Sequence, residues 1–107
     1  MANLLKEIYE KSSTHYLMKN ASPSEKDDGS MIAYWEDKTK IKIGDEGWTC
    51  PKCGRTFKRS HLDGAHVVYT MLEKNHPQYI TPLCQTCNRK GDEKSFWVRK
   101  EYVVPAP

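Results

Sequence analysis

The cysteines of this 107-residue chain number four and fall in two Cys-x-x-Cys pairs, Cys50-Pro51-Lys52-Cys53 and Cys84-Gln85-Thr86-Cys87. Two intervening residues let both sulfurs of a pair meet on one turn, and two such hooks supply the four soft donors that a tetrahedral ion takes. Zinc is the expected ion. Iron in a rubredoxin-like site and a redox-active dithiol use hooks of the same shape and stand as the alternatives. A site closed by four thiolates has no open coordination position, so its zinc holds structure and does not activate water. Gly54, directly after Cys53, suits the sharp return of the first hook because glycine takes positive φ without a Cβ clash.

Thirty residues separate the hooks, and they contain His66 in the run Leu62-Asp63-Gly64-Ala65-His66-Val67-Val68. A histidine flanked by Ala and Val-Val in a strand is either a core or edge residue bonded to a carbonyl, or a base placed for chemistry. His15 and His76 sit in polar stretches and suggest no role. Trp35, Trp48 and Trp97 are read as core residues ahead of base-stacking platforms.

The elements that must position these groups follow from pattern. Leu4, Leu5, Ile8, Tyr9 and Tyr16 share one face of a helix over residues 3–18, with Lys6, Glu7, Glu10 and Lys11 opposite. Asn20 to Ser30 has little to bury and reads as a linker. Met31 to Trp35 and the alternating Thr39 to Ile43 read as two strands of a hairpin turning at Glu36-Asp37-Lys38. A strand is expected over Leu62–Tyr69. A shorter one, broken by Pro82, runs from Tyr79 to Leu83, followed by a helix from near Gln85 to Lys90 that Gly91 ends. Phe96 to Val104 closes the fold. Residues 1–49 are thus a helix, linker and hairpin extension, and residues 50–107 the metal-binding core with a C-terminal strand.

Hydrophobic residues make up 37% of the chain, charged residues 29%, and mean hydropathy is -0.80. So small and polar a chain buries a thin core, and metal binding that becomes folding free energy meets that need. No segment approaches the roughly 20 apolar residues of a membrane span, and residues 1–18 lack the pattern of a signal peptide. The expected compartment is cytoplasmic, where paired cysteines are ligands rather than disulfides. The net charge of +3 is uneven: residues 1–49 hold seven Lys/Arg against nine Asp/Glu, residues 50–107 ten against five. The basic half is a candidate face for a polyanion, with Lys58, Arg59, Arg89 and Lys90 its phosphate contacts.

Cys50-x-x-Cys53-Gly54, then Leu62-Asp63-Gly64-Ala65-His66-Val67-Val68, then Pro82-Leu83-Cys84-x-x-Cys87-Asn88-Arg89-Lys90 resemble the zinc-bearing branch of the HNH endonucleases, over roughly Cys50 to Lys94. The resemblance implies a ββα-metal fold in which two strands and a helix grip a catalytic divalent ion, magnesium or another, beside the structural zinc. It places His66 where the family has its general base and Asn88 where a helix residue binds the catalytic ion, with Asp92 four residues on. Two positions depart. Ala65 stands where the family has a liganding Asp or His, and Tyr79 where it has an Asn that braces the base. Asp63 and His61 are then the substitutes at hand, although Asp63 on a regular strand faces away from His66.

The fold class expected is α+β, a small zinc-stabilised ββα-metal (HNH-like) domain with an N-terminal helix and hairpin extension. The resemblance implies DNA binding with divalent-metal-dependent phosphodiester hydrolysis. The alternative is a scaffold that keeps zinc without catalysis and binds nucleic acid, or a protein partner through residues 1–49.

Overall fold

The computed structural model describes residues 12–21, 26–70, 77–90, 92 and 94–107. In chain order these form β1 (His15–Asn20), α1 (Ser30–Thr39), β2 (Trp48–Thr49), β3 (Thr56–Phe57), β4 (Leu62–Tyr69), β5 (Tyr79–Cys84), α2 (Gln85–Arg89), β6 (Phe96–Arg99) and β7 (Val104–Pro105), with 3₁₀ turns at Arg59–His61 and Lys100–Tyr102. The class is α+β. A five-stranded antiparallel sheet runs β6-β1-β4-β5-β7, and β2 pairs with β3 apart from it.

The reading of β4, β5 and α2 holds: an eight-residue strand, an antiparallel partner and a short helix follow one another as expected. Pro82 does not break β5. It lies opposite Gly64 on β4, beyond the stretch of β5 that pairs with β7 at Tyr79 and Ile80. There its missing N–H costs no ladder bond.

Two readings of residues 12–49 are corrected. Tyr16 to Met18 belong to a strand, not to the tail of a helix, and Met18 and Asn20 are buried by the two-residue alternation of β1; residues 1–11, where the helix was expected, lie outside the described set. The hairpin over Met31 to Ile43 is instead α1 followed by an extended strap. The helical period was present in Ile32, Trp35 and Glu36, all buried on one side, but the run was too short to separate from a strand by pattern. What decides for the helix is Asp27. Its carboxylate accepts from the amides of Gly29 and Met31 (both 3.0 Å) through Oδ1, and of Ile32 (3.0 Å) and Gly64 (2.8 Å) through Oδ2. One side chain therefore satisfies the open donors of the first turn and pins that turn to β4. Gly64 is required at the contact, since a Cβ there would stand 2.5 Å from the Met31 carbonyl carbon.

The Lys40–Ile43 alternation makes no strand. Lys40 takes a left-handed φ of 63° and ends the helix, and the Ile43 amide donates 2.9 Å to Glu36 Oε2. β1, from the part of the chain before residue 50, lies between β4 and β6, so both parts share one sheet.

The core has two parts. Met18, Ala65, Val67, Leu83, Phe96 and Val98 pack with Cys50, Cys84 and Cys87, while Ile32, Trp35, Ile43, Leu62, Ile80 and Val104 pack beneath α1. Trp35 is a core residue as expected, fully buried with its Nε1 donating 2.9 Å to the Tyr102 carbonyl.

Asp27→Ala is expected to lower stability by about 2 kcal/mol, because up to four amides lose their acceptor; urea unfolding of the variant measures it. Glu36 gives a pH dependence. Burial pushes its carboxyl up, but the Arg59 guanidinium and the Ile43 amide outweigh burial and hold it below the ordinary glutamate value of 4.5. Its stabilisation is therefore present in full above that value and is lost as pH falls below it. Urea midpoints at neutral pH and below pH 4.5 are expected to fall less with acid in Glu36→Gln than in the parent chain.

Candidate metal centre

The first hook is a tight reversal fixed by two backbone bonds, Gly54 N to Cys50 O and Cys50 N to Arg55 O, both 2.8 Å, with Gly54 at φ 78°. The second is the junction of β5 and α2. Cys84 ends the strand in extended geometry, and its sulfur accepts from the Cys87 amide at 3.4 Å. The four Sγ atoms lie within 4.8 Å of one another, with Cys53 and Cys84 at 3.9 Å. A tetrahedron with zinc–sulfur bonds of about 2.3 Å has edges of about 3.8 Å, so the donor set fits zinc. All four cysteines are free.

Electrostatics points the same way. Burial pushes the Cys50 and Cys87 thiols up, and neighbouring sulfurs add to it. At exposed Cys53 burial acts in the same sense, but the Arg55 amide and the other thiols outweigh it and hold the group below the ordinary range. Four thiolates so close repel, and a central cation is what lets them ionise together. An ion held by this closed set would tie the β2–β3 hook to the start of α2 and would supply no chemistry of its own.

Beside the cysteines runs a chain of buried polar contacts. Asn88, 1% exposed, donates from Nδ2 to Asp63 Oδ2 (2.8 Å) and accepts at Oδ1 from Asn20 Nδ2 (3.1 Å). Asn20 Oδ1 accepts in turn from Lys52 Nζ at 2.9 Å, and Lys52 also pairs with Asp92. At the other end fully buried Asp63 takes both arms of Arg89, each at 3.1 Å. The contacts thus pass from Lys52 inside the first hook, through β1, to the helix of the second. No described buried side-chain nitrogen or oxygen lacks a partner.

The expected site residues are consequently distributed in a definite way. Register is unbroken from Leu62 opposite Cys84 to Val67 opposite Tyr79. Asp63, Ala65 and Val67 therefore share one face of β4, and Leu62, Gly64 and His66 the other, against which the first turn of α1 is laid. Asn88 is bonded to Asp63 on the first face, while half-buried His66 projects from the second, so the sheet stands between these two side chains. Asp92, ion-paired with Lys52, lies on the Asn88 side. All four expected phosphate contacts, Lys58, Arg59, Arg89 and Lys90, are exposed residues, but the two arginines are paired. Arg59 is held by buried Glu36 at 2.8 Å and Arg89 by Asp63.

Sequence reasoning missed Asn20 and Lys52. Asn20 stands at the buried parity of β1, two residues after Met18, a polar group at a core position that needs a partner; the reading of Asn20 to Ser30 as a linker hid it. Lys52 carried no signal beyond its place inside a hook.

Comparison of the chain with protein-family models, curated proteins and solved structures found no match. Among the described residues no helix is long and apolar enough to cross a membrane.

Elemental analysis of the purified chain is expected to find one zinc ion per chain. Chelation is expected to abolish cooperative unfolding, as it does where metal binding supplies folding energy, and Cys84→Ser is expected to lose the metal. Near-UV circular dichroism before and after chelation provides the readout.

Proposed function

We propose that this chain is a zinc-stabilised, HNH-like DNA-binding domain that does not hydrolyse phosphodiester bonds. The observation carrying the second half is the Lys52 ammonium. It stands between Asn20 Oδ1 and Asp92, in the contact chain that engages both amide atoms of Asn88. A divalent ion bound by Asn88 and Asp92 needs fixed oxygens and would meet a fixed positive charge at close range. Ala65 contributes no donor to the same face. The supports for DNA are the excess of ten basic over five acidic residues in 50–107 and the exposure of Lys58 and Lys90. The supports for the HNH-like frame are the order β4, β5, α2 and the cysteine geometry.

A second reading, a metal-dependent nuclease with His66 as base and Asn88 and Asp92 as ligands, is favoured by one observation. His66 lies on the first strand of that strand-strand-helix unit, only half-buried.

The readings separate on supercoiled plasmid incubated with Mg²⁺, Mn²⁺ or Ni²⁺. The expected result is retardation in a gel that weakens steeply with salt, with the plasmid left supercoiled. The Lys58→Ala, Lys90→Ala double variant is expected to lower the slope of log affinity against log salt by about 2. Metal-dependent nicking that disappears in His66→Ala would establish the nuclease. No retention of DNA at low salt would sink both and leave a protein partner, met through residues 1–49, as the working idea.

A further inference from the structure

A cleft of about 380 Å³ opens between β2 and β6, lined by His15, Trp48, Pro51, Trp97, Arg99 and Tyr102 among others. It includes none of the residues assigned to metal, catalysis or phosphate contact above. Its size is that of a small-molecule pocket. Its aromatic walls are held from behind. Trp48 meets Trp35 and Tyr102 edge to face at 5.0 and 4.8 Å, and the Tyr102 carbonyl accepts from Trp35 Nε1 and from Thr81 Oγ1 (2.7 Å). Trp48 and Tyr102 thus keep their places without a ligand, and little order need be lost in that wall on binding.

The lining is mainly aromatic and apolar, with the hydroxyl residue Thr49, two basic residues, His15 and Arg99, and no carboxylate. A cage for an ammonium group would put carboxylates where these bases stand. Arg99 is paired with Glu101, but both side chains are 51% exposed, and such a surface pair exchanges readily for another anion. Flat rings below and positive charge at the rim suit a planar ligand that carries an anion, a description that a nucleotide meets. In a duplex both faces of each base are covered by stacking, so only an unpaired base offers a face to a protein ring.

We propose that this cleft binds one unpaired nucleotide of single-stranded DNA, the base stacking on Trp97 and the phosphate lying toward Arg99; the inference rests on the DNA-binding reading. Trp97 is the half-buried ring of the edge strand, so its removal disturbs the core less than removal of Trp48.

Fluorescence anisotropy of labelled oligothymidylate, beside a duplex of equal length, tests the proposal. Trp97→Ala is expected to weaken single-strand binding about tenfold, to leave duplex binding unchanged, and to keep the metal content of the parent chain. Trp97→Phe, which retains a stacking face and guards against misfolding, is expected to hold most of the affinity. Equal single-strand binding by Trp97→Ala and the parent overturns the proposal and leaves the DNA-binding reading intact. So does a parent chain that binds the duplex alone. A parent chain that binds neither strand form overturns both.

Discussion

The gathering of four thiol groups within a few ångströms is the constraint on which the rest of this structure depends. Thiolates so close do not ionise together unless a cation stands between them, and burial pushes the Cys50 and Cys87 thiols up. A bound ion reverses that balance and closes the thirty-residue segment between Cys53 and Cys84, within which β4 and most of β5 lie. Closure brings Lys52 of the first hook against Asn20 on β1 and holds the β5–α2 junction where Asn88 and Arg89 reach Asp63. The sheet already sets β1 and the β5–α2 junction beside β4, and the sulfur geometry adds the first hook, with Lys52, to that polar chain. Once formed, it raises the cost of separating the hooks, because an Asp63 or Asn88 left without partners inside the core is penalised more than the bonds themselves contribute.

Legibility from sequence followed the range of the interactions involved. The cysteine hooks, Gly54, β4, β5 and α2 were readable because each is decided by residue types at short fixed spacing. α1 was not readable as a helix, although Ile32, Trp35 and Glu36 carry its period. Its ten residues are few, and the residue that starts it, Asp27, sits in a segment that looked like polar filler and reaches across to Gly64. β1 was missed because Tyr16 and Met18 fit a helical period about as well as an alternating one, and only pairing with β4 and β6 decides between them. The place of residues before 50 in the sheet was hidden for the same reason. A stretch that lacks the motif was separated from it, yet its strand lies between two strands of the motif-bearing part.

The placement of His66 and Asn88 was beyond the sequence for a different reason. Their types and spacing carry a resemblance to a catalytic pair, and nothing in one chain says which atoms are already engaged. Strand parity and the partners of Asn88 supply that information. With register unbroken across Gly64, His66 takes the α1 face and Asp63 the face of the polar chain, and Asn88 is committed to Asp63 and Asn20. Side chains retained from a catalytic ancestor and side chains recruited for packing look alike in sequence. They differ in whether their polar atoms point at solvent or at each other.

Charge follows the same logic. The basic surplus of residues 50–107 overstates the positive surface, because two of its arginines face buried carboxylates. Arg59 neutralises Glu36, and Arg89 neutralises Asp63. Each pair serves the fold by compensating an acid that would otherwise be stranded in the interior, and each withdraws a guanidinium from any polyanion outside. Part of the basic content is thus consumed in letting carboxylates cap and brace a small core, as Glu36 does for Ile43 and Asp63 for Asn88. Of the four expected phosphate contacts, the two outside such pairs are lysines, each a compact charge on a flexible stem that attracts without fixing orientation. A surface of that kind supports salt-sensitive, sequence-tolerant contact, and any discrimination between nucleic-acid forms must come from groups with shape. Among the described residues, Trp48, Trp97 and Tyr102 are rings that line a cleft with no carboxylate in its wall.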